Sequence, residues 1–100
     1  MIIGLLARIG FTAEDYIREY RLDPSLLSLD FYFEDLNKGV EVHSRIHSTL
    51  KQAKRKAYDK RKRAICQQRG IETLWLRQTD LNNVPRLFRK LQNFFRPKTG

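Results

Sequence analysis

The chain has 100 residues, 41% of them hydrophobic and 31% charged, which leaves room for one domain with a core and excludes a disordered tail. Lysine and arginine number 20 against 11 acidic residues, giving a formal net charge of +9, so nucleic acid is the expected partner unless the charge serves solubility alone. The single cysteine, Cys66, excludes an internal disulfide and a four-cysteine zinc site and favours a reducing compartment, so we expect a cytoplasmic, nucleoid-associated protein.

The first predicted element is a short N-terminal helix within residues 1–10. Apolar residues recur at helical spacing from Ile2 to Ile9, and Gly10 supplies the cap that ends the helix. This apolar opening is far shorter than the ~20 residues that cross a bilayer, and it lacks the basic start and cleavage site of a secretory signal. No membrane partner is therefore expected.

Three strands are expected next, and two of them form a hairpin. Residues 15–22 are rich in aromatic and β-branched side chains, which predicts an edge strand that ends in a turn at residues 23–25. Apolar residues then alternate with polar ones in residues 29–33 and again in residues 40–43, a pattern typical of strands with one buried face. Residues 34–37 between them have the length of a hairpin loop.

A long helix, a strand and a second amphipathic helix complete the predicted fold. Residues 46–69 contain neither proline nor glycine before Gly70, and residues 71–76 form the short apolar run typical of an interior strand. Strand, helix and strand in this order predict a crossover between parallel strands. Residues 84–95 are strongly amphipathic, and residues 96–100 are expected to form a tail. We therefore expect one α/β (α+β) domain, a mixed β-sheet flanked by helices.

Two acidic residues of the hairpin form the first candidate site. If the hairpin closes symmetrically around Asp35 and Leu36, Asp30 faces Glu41 across the strands, with Cβ atoms ~5 Å apart. Two like charges at this distance need compensation, and Mg²⁺ or Mn²⁺ would supply it because both cations accept carboxylate, phosphate and water ligands. Alternating charges on a strand can also simply face solvent, and a register slip of one residue would separate the pair.

Two histidines extend this site. His43 lies two residues after Glu41, and Tyr32 lies two residues after Asp30, so the four side chains share one face of the hairpin. His47 follows one helical turn later if the long helix starts early. An imidazole can transfer a proton in phosphodiester hydrolysis, although histidines near a strand end are also common surface residues. The candidate catalytic residues are Asp30, Glu41, His43 and His47, with Tyr32 beside the substrate.

The long helix carries the second candidate site, a basic surface that suits the phosphates of a nucleic acid. Its cationic side chains cover more than half of the helix circumference, although such a face can also be merely solvated. Trp75 and the aromatic residues of the last helix are expected to belong to the core. The predicted nucleic-acid-binding residues are Lys51, Lys54, Arg55, Lys56, Lys60, Arg61, Lys62, Arg63 and, on the following strand, Arg77.

Several short stretches of the chain occur in a characteristic order. They are Leu29-Asp30-Phe31-Tyr32-Phe33, Gly39-Val40-Glu41-Val42-His43, His47, Tyr58-Asp59, and Gly70 followed by Leu74-Trp75-Leu76-Arg77. Their order resembles that of the PD-(D/E)XK nuclease superfamily, and within it the very-short-patch-repair-like endonucleases, over roughly residues 16–95.

The resemblance implies a restriction-endonuclease-like fold and Mg²⁺-dependent endonuclease activity, with double-stranded DNA as the first choice of substrate. His43 stands in the position where the wider superfamily has a lysine, and His47 and Asp59 look like the supporting histidine and the helix aspartate of the group. The metal ligands that the resemblance implies are Asp30, Glu41 and, through its backbone carbonyl, Val42.

Three functions stay open from the sequence. The first is a metal-dependent endonuclease of DNA repair, and the second is a DNA- or RNA-binding module of the same fold that has lost turnover. The third is a basic interaction domain of a recombination or transposition complex. Salt-sensitive binding without cleavage would favour the second, and a failure to bind nucleic acid would favour the third. A homodimer and a larger DNA-processing complex are both compatible with the sequence.

Overall fold

The computed structural model describes residues 1–22, 27–43 and 49–96. In chain order their elements are α1 (Ile2–Ile9), β1 (Ile17–Arg21), β2 (Ser28–Phe33), β3 (Lys38–His43), α2 (Thr49–Gln68), β4 (Glu72–Arg77), α3 (Gln78–Leu81) and α4 (Val84–Phe95). The mixed α/β class expected from the sequence is therefore confirmed. None of the helices in these ranges combines the length and the hydropathy that a membrane span requires.

The four strands form one sheet in the order β1-β2-β3-β4. The first three strands are antiparallel neighbours, and β4 is parallel to β3. Because α2 connects these two parallel strands, the predicted crossover is confirmed. β1 lies at one edge of the sheet, as predicted. β4 lies at the other edge, so the prediction of an interior strand for its apolar run is wrong.

Most predicted elements are present with small shifts in their bounds. α1 and α4 have the predicted limits, and β4 begins and ends one residue later than expected. The turn predicted at residues 23–25, the predicted helix start at residues 46–48 and residues 97–100 lie outside the described residues. The short helix α3 was not predicted.

The hairpin of β2 and β3 has the predicted register. Pairing runs from Phe31 with Val40 to Phe33 with Lys38, around a turn formed by residues 34–37. This is the symmetric closure expected from the alternation of apolar residues. The register matters because it decides which side chains of the two strands share a face.

Apolar side chains cover both faces of the sheet. On one face, sheet residues pack against α1 and α4 in a cluster of Leu5, Leu6, Tyr16, Phe31, Phe33, Val40, Leu76, Leu87 and Leu91. The opposite face packs against α2 through Leu22, Leu29, Tyr32, Cys66 and Ile71. Full burial of one large apolar side chain contributes about 1.5–3 kcal/mol. β2 and β3 are therefore held from both sides, and the polar residues at their ends are attached to a rigid scaffold.

α3 is held by Asp80, an acidic side chain with only 2% of its surface exposed. Its carboxylate accepts hydrogen bonds from Nζ of Lys90 at 2.7 Å and from the backbone amide of Arg77 at 2.9 Å. The hydrogen bond from Lys90, followed by that from the Arg77 amide, lowers the pKa of Asp80 because both favour the ionised form. Asp80 therefore connects the end of β4 to α4.

Candidate metal and nucleic-acid site

Two carboxylates lie where β2 and β3 diverge. Regular pairing stops at Phe31 and Val40, and the next residues are joined through their side chains. The backbone amide of Val42 donates to Oδ2 of Asp30 at 2.8 Å, and the amide of Asp30 donates to Oε2 of Glu41 at 3.3 Å. Asp30 and Glu41 are thus neighbours, as the register predicts, although side-chain bonds replace the expected ladder pair.

The sheet is also interrupted on the other side of Asp30. β1 and β2 pair on both sides of Glu19 and Asp30 but not at these two residues. Glu19 has a φ of 51°, a left-handed conformation that costs a non-glycine residue roughly 1 kcal/mol or more. Both neighbouring strands therefore leave Asp30 out of the regular pairing, and sheet irregularities such as β-bulges are over-represented next to active sites.

A buried lysine from α2 reaches the carboxylates. Nζ of Lys62 lies 3.2 Å from Oε1 of Glu41, and the two residues are 9% and 4% exposed. Asp59, Lys62 and Cys66 follow one another at helical spacing and are all buried, so they form the stripe of α2 that faces the sheet. The expected exposed location of Lys62 among the phosphate-binding residues is therefore corrected. Its spacing from Cys66 was the sequence signal for a buried position.

The pKa of Glu41 is raised to about 7. Burial is the largest cause, and the nearby charge of Asp30 is the second. Lys62 lowers the pKa through its charge and its hydrogen bond, but it offsets the other two causes only in part. A second cation at this place would favour the ionised form of Glu41 further.

A cleft gives access to Asp30 from solvent. It has a volume of about 340 Å³, and Asp30 and Val42 form part of its lining together with Ile3, Arg18 and Leu81. Asp30 is half-buried, whereas Glu41 is buried. Asp30 is therefore the carboxylate that a ligand in the cleft would reach first.

The two predicted histidines, His43 and His47, come after Glu41 in the chain. His43 is the last residue of β3, two residues after Glu41, but its side chain lies outside the described part of the structure, as does the whole of His47. Among the described residues, no three His, Cys, Asp or Glu side chains form a group that could hold a metal ion by themselves. A metal at Asp30 and Glu41 would need further ligands from a backbone carbonyl, a phosphate or water.

Tyr32, which was expected on the polar face beside the substrate, is enclosed by other side chains. It is buried, its hydroxyl donates to Oδ1 of Asn37 at 2.7 Å, and its ring stacks on Tyr20 with centroids 4.2 Å apart. Burial is the largest cause of its raised pKa. Tyr32 therefore stabilises the hairpin by packing with Leu29 and Cys66 on the side of α2, whereas Asp30 lines the cleft with Ile3 and Val42.

Exposed cations lie on α2 and β4, the two elements that contact or neighbour Glu41. Lys56, Lys60, Arg61 and Arg63 of α2 and Arg77 of β4 are exposed, while the side chains of Lys51, Lys54 and Arg55 lie outside the described residues. The guanidinium carbon of Arg63 lies 4.2 Å from the ring centroid of Trp75. Trp75 is half-buried rather than part of the core. The described exposed cations form a surface that polyanions would approach.

Comparison with family models, with curated protein sequences and with solved structures found no match.

Proposed function

We propose that this chain is a metal-dependent endonuclease that hydrolyses DNA phosphodiester bonds, with double-stranded DNA as the first choice of substrate. The observation that carries the proposal is the meeting of Asp30, Glu41 and Lys62 where β2 and β3 diverge. The order α1-β1-β2-β3-α2-β4, with β3 and β4 parallel, supports a restriction-endonuclease-like core. The exposed cations of α2 support a nucleic acid as the substrate.

The donor set fits Mg²⁺ or Mn²⁺. Asp30 and Glu41 supply carboxylate oxygens, which these hard cations prefer, and one or two carboxylates with phosphate and water are a common Mg²⁺ site. The backbone carbonyl of Val42 is a further proposed ligand. A bound cation would lower the pKa of Glu41, which burial and then the charge of Asp30 raise. A bound ion would polarise the phosphoryl oxygen and lower the pKa of a water molecule.

The side chains around the carboxylates have separate proposed roles. Lys62 lowers the pKa of Glu41 and so favours its ionised form. Its ammonium group can also stabilise the negative charge that develops on the phosphate. Lys62 therefore supplies an amine to the site. In the wider superfamily a lysine stands at the strand position that His43 occupies here. His43 transfers a proton to or from the reacting oxygens, and His47 and Asp59 support this arrangement.

A plasmid assay tests this function. The protein is incubated with supercoiled plasmid and Mg²⁺ or Mn²⁺, with EDTA as the metal-free control, beside Asp30→Asn and Glu41→Gln variants. We expect metal-dependent nicking that falls at least about a hundredfold in both variants, because each removes a metal ligand. Asp35→Asn is the matched control, since Asp35 is an exposed carboxylate in the turn of the same hairpin.

Circular dichroism of each variant establishes that it is folded before it is assayed. Nicking that is equally strong in Glu41→Gln, or that persists in EDTA, would contradict the proposal.

A second candidate is a DNA- or RNA-binding module without turnover. The specific observation in its favour is the ion pair of 3.2 Å between Lys62 and Glu41, which compensates one carboxylate without any metal. A buried pair of this kind can be purely structural. Salt-sensitive binding of nucleic acid by a protein that nicks no plasmid with either metal would favour this module.

A further inference from the structure

Trp75 lies directly beside the carboxylate site. β3 and β4 are parallel, and Glu41 is the register partner of Trp75. Residues paired in this way point to the same face of a sheet, and neighbouring strands lie about 4.8 Å apart. The indole of Trp75 is therefore the next side chain to Glu41 toward the edge of the sheet.

Consecutive residues of α2 contact these two neighbours. Lys62 forms the ion pair with Glu41, and Arg63 places its guanidinium over the ring of Trp75 at 4.2 Å. The two cations differ in burial, because Lys62 is 9% exposed whereas Arg63 is exposed to solvent. The helix thus presents one cation inside the site and a second one at its rim.

The stacking gives the rim cation a fixed orientation. A guanidinium that lies over an indole is held by a cation–π contact, while its N–H groups point outward in the plane. These donors form a planar fork that matches two oxygens of one phosphate, whereas the ammonium of a lysine acts as a point charge. Arg77, two residues after Trp75 on the same face of β4 and exposed, adds positive charge nearby.

We propose that Arg63, oriented by Trp75, binds the phosphate adjacent to the one that is cleaved. This inference rests on the proposed function, because it takes a nucleic acid as the ligand of the site. Arg63 is then a substrate-binding residue, and Trp75 is a positioning residue that acts through it. The pair holds the flanking phosphate of the bound strand at the rim of the site.

A charge-conserving substitution separates this role from general electrostatic attraction. Binding is measured in EDTA by the anisotropy of a fluorescein-labelled DNA duplex, so that no cleavage occurs. We expect Arg63→Lys to weaken binding roughly tenfold, because the loss of one charge-assisted hydrogen bond and of the stacking has about this effect. Arg21→Lys is the matched control, since Arg21 is an exposed arginine of β1 at the opposite edge of the sheet, and it should bind like the wild type.

Substitutions of Trp75 test its positioning role. Trp75→Phe keeps an aromatic face and should bind more tightly than Trp75→Leu, which keeps only bulk. With Mg²⁺ present, Arg63→Lys should raise KM and leave kcat nearly unchanged, because it loses substrate binding rather than a group at the reacting atoms. Equal affinity of Trp75→Phe and Trp75→Leu would contradict the positioning role.

Trp75 also reports directly on the contact, because it is the only tryptophan of the chain. Its fluorescence should change on DNA addition with the same midpoint as the anisotropy. Unchanged emission at saturating DNA would overturn the inference, and so would equal DNA affinities of Arg63→Lys and Arg21→Lys. Either result is compatible with plasmid nicking, which tests the nuclease separately. Weakened binding by Arg63→Lys in a protein that never nicks would overturn the nuclease and leave Arg63 as a phosphate-binding residue.

Discussion

The Glu41 carboxyl group experiences opposing influences on its charge. Burial and Asp30 favour the neutral form, and Lys62 favours the ionised form at a distance of 3.2 Å. The outcome, a pKa of about 7 against an ordinary value of 4.5, shows that burial and Asp30 outweigh the lysine. A divalent cation beside the two carboxylates would lower this pKa toward its ordinary value.

This balance predicts a pH dependence of stability. The folded protein binds more protons at Glu41 than the unfolded chain between the unfolded pKa of 4.5 and the folded pKa of about 7. The contribution of Glu41 is therefore fully present below that interval and is lost as the pH rises through 7. Without metal, urea denaturation should show a loss on the order of 2 kcal/mol between about pH 5 and about pH 8, after a discount for partial solvent screening.

Glu41→Gln should remove this part of the pH dependence, whereas Glu34→Gln, a change of an exposed residue in the hairpin turn, should keep it. Mg²⁺ added at about pH 8 should stabilise the wild type and not Glu41→Gln, because a ligand of the folded state raises its free energy of unfolding. An identical pH dependence in the wild type and Glu41→Gln would refute the assignment.

At the scale of elements, Asn37 connects the hairpin to the end of α2. Its Oδ1 accepts from the Tyr32 hydroxyl at 2.7 Å, and its Nδ2 donates to the carbonyl oxygens of Gly70 at 3.0 Å and Arg69 at 3.3 Å. Its backbone has a φ of 50°, a conformation that asparagine tolerates better than most residues. One side chain thus holds together β2, the hairpin turn and the end of α2.

Asn37→Ala should therefore destabilise the protein by about 2 kcal/mol, because it removes the side-chain hydrogen bonds, including the one from buried Tyr32, and leaves alanine at a positive φ that asparagine tolerates better. Asn37→Gly removes the same hydrogen bonds without the backbone strain and should be about 1 kcal/mol more stable than Asn37→Ala. Urea denaturation of both variants measures the difference. Equal stabilities would mean that the backbone at residue 37 carries no strain.

Elements with strong periodicity could be predicted from the sequence, and features that depend on tertiary packing could not. The alternation around Phe31 and Val40 defined the hairpin and its register, and hence the meeting of Asp30 with Glu41. Lys62 was placed on the surface because a run of lysines and arginines does not indicate which helix face meets the sheet. α3 was missed because its four residues, Gln78–Leu81, are too few for a periodic pattern and depend on the ion pair of Asp80.

At the scale of the whole molecule, the net charge of +9 includes exposed cations on α2 and β4, the two elements that contact or neighbour Glu41. The described exposed cations on these elements include Lys56, Lys60, Arg63 and Arg77, whereas the candidate site itself contains the two carboxylates and the buried lysine. A polyanion would therefore be attracted by the rim and would bring its phosphates toward the carboxylates. Such attraction carries little sequence information, because phosphate contacts position a nucleic acid without reading its bases.

The expected consequence is a steep dependence of DNA binding on salt. If these four side chains each neutralise one phosphate, the affinity should fall roughly a hundredfold between 50 and 200 mM KCl, because each contact adds a slope of about −0.9 to log K against log salt. Fluorescence anisotropy of a labelled duplex in EDTA measures this slope.

Lys56→Gln and Lys60→Gln should each make the slope shallower by about 0.9, whereas Arg21→Gln, at the far edge of the sheet, should leave it unchanged. A slope that stays the same after both lysines are replaced would mean that the DNA contacts another surface of the molecule.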